Sequence, residues 1–185
     1  MRIRRWAAAV LGGIALTLAF AGSAQAAQPS GPQAAVPSQG FAFNIINYSS
    51  NKCLQPQSLS RNAIVVQQPC NRTNHLQWWF RVDLGDGYSF LKNDGSQLCM
   101  DLQANSEDEV GNGTLVQQFD CFAGYTSEHW AFSPGSRVNH YQIFNLVHGI
   151  CADLKDRSSA NGAVIQVWSC KYLETAQEFR FVSVS

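Results

Sequence analysis

The sequence predicts an all-β domain made of three pseudo-symmetric copies of one unit, with about twelve short strands. Three observations predict it. A set of anchor residues recurs in phase three times. No stretch after residue 40 carries a helical apolar stripe of useful length. Short strand-like runs are broken by turn residues about every eight to twelve positions.

The anchors are clearest in the third copy. It opens at Cys151-Ala152-Asp153-Leu154 and closes at Cys170, with Trp168 two residues before the second cysteine. Aligned on the second cysteine, Ala63–Cys70, Thr114–Cys121 and Ala163–Cys170 superimpose. Nine residues beyond each second cysteine stands an aromatic: Trp79, Trp130, Phe179. Six residues before each first cysteine stands an asparagine: Asn47, Asn93, Asn145. Such phasing marks an internal repeat whose copies are too short to fold alone and must share one core.

Taken in order, Met1-Arg2-Ile3-Arg4-Arg5 is a basic start, Trp6–Phe20 is an apolar run, and Ala24-Gln25-Ala26 is a small-x-small cleavage site. This pattern predicts a secretory signal peptide over residues 1–26 rather than a membrane anchor, for which the run is short. Residues 27–40 are Pro, Ser, Gln, Ala and Gly without apolar period, and predict a flexible leader. The domain is then 41–185. Phe41–Tyr48 alternates as a half-buried strand, Ser49-Ser50-Asn51 is a turn, and Cys53-Leu54 opens the next strand. Ala63–Gln67 and Trp78–Val82 follow, before the turn Gly85-Asp86-Gly87. The second copy runs from Tyr88–Leu91 through an acidic, Gly-containing turn (106–113) to Thr114–Phe119 and Trp130–Phe132. After Pro134-Gly135 the third runs from Tyr141–Phe144 to Phe179–Val182. A barrel closed by three hairpins accommodates this count and leaves no open sheet edge.

Cleavage after Ala26 would leave 159 of 185 residues, with ten basic against thirteen acidic side chains. That balance offers no basic surplus for nucleic acid or anionic lipid. All six cysteines lie in the domain, and an even number behind a signal peptide predicts disulfides and a secreted, extracellular protein. The repeat selects one of the 15 pairings: Cys53–Cys70, Cys99–Cys121 and Cys151–Cys170. Each would restrict the unfolded chain by about 3 kcal/mol. A metal site is the alternative, but no C-x-x-C or histidine pair accompanies the cysteines, so no metal or cofactor is expected.

Gln77-Trp78-Trp79 and Gln177-Glu178-Phe179, with Glu128-His129-Trp130 between them, resemble the Gln-x-Trp triple of the ricin B-type lectins, which include family 13 carbohydrate-binding modules. The resemblance covers residues 41–185. It implies a β-trefoil with up to three shallow sugar sites. Each uses an aspartate two residues after the first cysteine, an aromatic two before the second, and polar residues beside the Gln-x-Trp. A carboxylate accepts bonds from neighbouring sugar hydroxyls, a ring covers the apolar face of the pyranose, and an amide orients hydroxyls. Carried over by residue, the third copy has Asp153, Gln166, Trp168 and Gln177, with Ala176 where the family has asparagine; Glu174 or Tyr172 are candidates to replace it. The second has Asp101, Gln117 and Phe119, with Ser127 and Glu128 at the amide positions, and is expected to be weaker. The first has Gln55, Gln68 and Leu76 at the key positions and is expected to be structural only.

Strand alternation puts Trp168 with Val164 and Gln166, opposite Ile165 and Val167, which favours an outward ring; for Phe119, beside Leu115 and Gln117, the argument is balanced. Trp79, Trp130 and Phe179 are expected in the core. Asp101 and Asp153 fall in strand openings rather than turns. The four histidines show no ligand spacing and are expected at the surface or satisfied. A glycosidase needs two carboxylates within about 5 to 9.5 Å, whereas Asp101 and Asp153 belong to different copies. No nucleophile elbow, zinc motif or phosphate loop is present. The expectation is a stand-alone, non-enzymatic binder of galactose-type or xylan-type carbohydrate. The competing expectation is a secreted protein-binding trefoil with degraded sugar sites.

Overall fold

The computed structural model describes residues 40–184; the expected signal peptide, the leader up to residue 39 and Ser185 lie outside them. Twelve strands form: β1 (Phe43–Asn47), β2 (Cys53–Pro56), β3 (Val65–Gln68), β4 (Trp79–Asp83), β5 (Ser89–Asn93), β6 (Cys99–Leu102), β7 (Val116–Phe119), β8 (Trp130–Pro134), β9 (Tyr141–Asn145), β10 (Cys151–Leu154), β11 (Ile165–Trp168) and β12 (Phe179–Ser183). The all-β, twelve-strand expectation is borne out. The only helical segments among the described residues are five one-turn 3-10 helices.

All pairings are antiparallel. β1, β4, β5, β8, β9 and β12 pair in a closed ring. The remaining strands form three hairpins, β2–β3, β6–β7 and β10–β11. Single bridges between hairpins, Ile64↔Gln117, Leu115↔Gln166 and Val66↔Val164, join them in a triangle over the barrel. This is the β-trefoil architecture, and a closed ring leaves no free edge within the barrel.

Each recurring anchor has a physical task. Trp79, Trp130 and Phe179 are fully buried, as expected. The indole N–H of Trp79 donates to Leu54 O at 3.0 Å and that of Trp130 to Met100 O at 2.8 Å, tying barrel to hairpin. The asparagines work between copies: Asn47 Nδ2 donates to Ala176 O, Asn93 to Leu76 O and Asn145 to Ser127 O, at 2.8 to 2.9 Å. The three expected disulfides are present, with Cα–Cα distances of 5.0 to 5.1 Å.

The hairpin tips are locked to the next copy, too. Gln118 Nε2 holds the first tip through Ser58 O and Ser60 O, and Gln67 Nε2 holds the third through Ser158 O and Ala160 O, all at 2.7 to 2.9 Å. The position that would hold the second tip is Val167, whose side chain has no donor. The last residue of each tip turns left-handed: Asn62 (φ 61°), Gly113 (φ 95°) and Gly162 (φ 80°). Glycine and asparagine tolerate that conformation best.

Candidate functional site

In the second copy, β6 and β7 place Asp101 directly across from Gln117. Gln117 Nε2 donates to Asp101 Oδ2 at 2.8 Å, which fixes the carboxylate and leaves its other oxygen for further partners. The half-buried Phe119 follows two residues on along the same strand. These groups open into a cleft of about 460 Å³, whose walls include Tyr125, Ser127 and Asn62. Asn62 comes from the first copy's hairpin tip. Beside it Arg61 lies 5.5 Å from the centre of the Phe119 ring and forms an ion pair with Asp120. Phe122 packs edge-on to Tyr125, extending the aromatic wall outward.

The size of this cleft follows from loop length. Asp101 and Gln117 are 16 residues apart, against 13 for Asp153 and Gln166. The extra chain winds into the 3-10 turn Glu107–Glu109. Glu107 hydrogen-bonds the Thr126 hydroxyl, and its backbone carbonyl pairs with His148 Nε2 at 3.2 Å, so the loop stands as a wall.

In the third copy the same register pairs Asp153 with Gln166, whose Nε2 donates at 3.0 Å. Trp168 is half-buried beside them, as strand alternation predicts. The cleft is smaller, about 180 Å³. An ion pair between Arg157 and Glu174 stands at its rim. Glu174 also accepts from Ala176 N at 3.2 Å, so it is committed locally, while Tyr172 points into solvent. Gln177 is fully buried; it accepts from Lys171 N at 2.8 Å and donates to Ser169 O at 3.1 Å, holding the loop behind the cleft. The second copy's tip abuts this site. Asn112 Oδ1 accepts from Ser169 N at 2.6 Å, and a Cβ on Gly113 would lie 3.9 Å from the Trp168 ring.

The first copy lacks this arrangement. Gln55 faces Val66 across the hairpin. Its Oε1 is taken by Asn74 at 3.1 Å and by Gln77 at 2.9 Å, so the amides satisfy one another.

Burial raises the carboxyls of Asp101 and Asp153 above the usual aspartate range, opposed by hydrogen bonds from Ser127 and Gln117 on the one and from Gln166 and Gln177 on the other. Glu128 is fully buried, and burial pushes it up to about 7 against a bond from Phe122 N, with the Asp101 charge adding to the rise. His129 departs from the expectation for the histidines. It is buried, with Nδ1 unpartnered and Nε2 against Ala123 O at 3.1 Å.

The structure thus gathers Asp101, Gln117 and Phe119 in one cleft and Asp153, Gln166, Trp168 and Gln177 in another. It makes the second copy, expected to be weaker, the roomier site. Sequence reasoning missed Asn62, Tyr125, Glu107 and Arg157. The longer cysteine separation of the second copy, 22 against 17 and 19, was the visible signal for its enlarged wall. Nothing local in the sequence announces a residue arriving from another copy. Among the described residues no group of three or more His, Cys, Asp or Glu could hold a metal, and no helix is long and apolar enough to cross a membrane.

A family model described as the ricin-type beta-trefoil lectin domain matches residues 41–181. No curated protein sequence matches the chain. Among solved structures, the exo-beta-1,3-galactanase 1,3Gal43A from Clostridium thermocellum is similar at 27% identity and TM-score 0.71, over 81% of this chain but only 31% of that one. The designed three-fold symmetric protein ThreeFoil is similar at 25% identity and TM-score 0.69, over 76% of this chain and 97% of its own. The Macrolepiota procera ricin B-like lectin, solved with lactose, shares the fold at 16% identity and TM-score 0.66, over 80% and 99% of the two chains.

Proposed function

The chain belongs to the ricin-type β-trefoil lectin domain family, and on that premise we propose that it is a secreted lectin whose second and third copies each hold one ring of a galactose-type sugar. The observation that carries this reading is a pair of matching constellations. In each, a carboxylate is fixed by a cross-strand glutamine next to a half-exposed aromatic: Asp101–Gln117 with Phe119, and Asp153–Gln166 with Trp168. The fixed carboxylate accepts from two adjacent hydroxyls, and the ring covers the C–H face of the sugar. The galactanase and the lactose complex among similar structures favour galactose over xylan as the first ligand to try. Three disulfides suit an extracellular setting. We read this domain as a binder, since the matching family model describes a lectin domain and the similar galactanase is matched over only 31% of its length.

Each site is open and shallow, so single-site affinity is expected to be weak and two sites to add avidity. Retention on immobilised lactose, N-acetylgalactosamine and xylan, compared among wild type, Asp101→Ala, Asp153→Ala and the double variant, tests the proposal. Each single variant is expected to weaken retention, and the double variant to lose about tenfold or more per site. A double variant retained as well as wild type would sink the assignment. No retention of wild type on any glycan would favour the protein-binding reading.

A further inference from the structure

The second copy breaks the repeat at one buried position. Gln77 and Gln177 each stand two residues before their core aromatic and use their amide in the same way. Oε1 accepts from a backbone N–H, that of Asn71 at 2.7 Å or Lys171 at 2.8 Å. Nε2 donates to a backbone carbonyl, that of Pro69 at 3.0 Å or Ser169 at 3.1 Å. The same amides also bond Gln55 and Asp153, the residues equivalent to Asp101.

Glu128 takes this position in the second copy. Its Oε2 accepts from Phe122 N at 2.8 Å, reproducing the acceptor half of the pattern. Its Oε1 stands on the side where the other copies have a donor; it is buried and unpartnered. A carboxylate has nothing to donate, whereas a carboxylic acid has one O–H. No ion pair to Glu128 occurs among the described residues. Asp101 is the charged group that acts on it; Glu107 and Tyr125 line the cleft with Asp101, the adjacent His129 has Nε2 on Ala123 O, and Arg61, beside Phe119, is committed to Asp120.

We propose that Glu128 is a positioning residue which keeps a proton on Oε1 and shares it with Asp101, and that losing this proton disarms the second sugar site while leaving the third untouched. The inference rests on the lectin reading above. With the proton present, Glu128 imitates the glutamine: its O–H steadies Asp101, as Gln177 steadies Asp153. Without it, two buried carboxylates stand near enough for their charges to oppose each other, and like charges there disfavour joint ionisation. Asp101 is then repelled and turns away, and it stops accepting from two sugar hydroxyls. Burial and the Asp101 charge both raise the Glu128 carboxyl, the direction this requires. The third copy has an amide in place of the acid, so nothing there titrates in the same way.

The test uses the full chain labelled with ¹³C at its carboxyl carbons, with lactose as the probe. One glutamate carboxyl is expected to titrate near 7 and to vanish from the spectrum of Glu128→Gln. In an Asp153→Ala background, which leaves the second site as the one read out, lactose affinity is expected to fall about tenfold from roughly pH 5.5 to 8.5. With Glu128→Gln added, the profile is expected to be flat over that range. Glutamate carboxyls that all titrate in their ordinary range, or a pH profile that survives Glu128→Gln, would overturn the proposal. If lactose binds at no pH, the lectin reading fails instead, and the carboxyl titration still decides the proton.

Discussion

Asn145, on the third copy's first strand, donates through Nδ2 to the backbone carbonyl of Ser127 in the second copy at 2.8 Å. Ser127 lies in the short turn that carries Glu128 and lines the larger cleft. The floor of one copy's site is therefore pinned by the next copy's barrel strand. Asn47 pins Ala176 in the third copy's site in the same manner. Site geometry and barrel closure are parts of one network.

Replacing Asn145 with Ala removes this bond to a half-buried carbonyl, an expected cost of roughly 1 kcal/mol in urea denaturation. The variant is expected to lose sugar affinity at the second site, and Asn47→Ala at the third. Equal loss at both sites in either variant would show that the pins act on the whole barrel and not locally.

Trp79 and Trp130 each donate an indole N–H to a hairpin carbonyl, while Phe179 fills the equivalent place without a donor. Trp79→Phe is thus a substitution the fold already contains. It is expected to cost about 1–2 kcal/mol, chiefly for the orphaned Leu54 carbonyl, with the trefoil intact by circular dichroism. A loss of the folded state would mean that the ring volume matters more than the bond.

Glu128 makes stability itself pH-dependent. Its carboxyl is raised in the folded protein, from an ordinary 4.5 to about 7. Below about 4.5 it is protonated in both states; from there to about 7 only the unfolded chain ionises, so stability falls as pH rises. Above about 7 both states are ionised and the fall ends. Glu128→Gln lacks this loss and is expected to gain on wild type across the window, by something on the order of 2 kcal/mol at neutral pH. The raised carboxyl of Asp101 acts with the same sign at lower pH. Identical pH profiles for the two proteins would refute the assignment.

The two aromatic platforms are expected to respond unequally. Trp168→Ala removes a half-buried ring beside a small cleft, whereas Phe119→Ala leaves Tyr125 and Phe122 in the enlarged wall. Titration calorimetry with lactose is expected to show a larger affinity loss for Trp168→Ala, in the range of about 1–2 kcal/mol for a lost ring contact. A larger loss for Phe119→Ala would place the main stacking surface in the second copy.

The repeat, the three disulfides, the fate of Trp79, Trp130 and Phe179, and the meeting of Asp153, Gln166 and Trp168 in one cleft were all legible in the sequence. The reason is local. Strand alternation sets the face of each side chain, cross-hairpin register brings Asp153 opposite Gln166, and three-fold recurrence separates structural anchors from variable positions. Tertiary structure alone decided what arrives from another copy: Asn62 at the second cleft, Asn112 and Gly113 beside Trp168, Asn145 beneath Ser127. It also decided how much room each site has and which carboxyl lacks a partner, because cleft volume and burial depend on distant segments packing together. A chain read one residue at a time shows that Glu128 replaces a glutamine; only the closed barrel shows that the replacement is buried with one oxygen unpartnered.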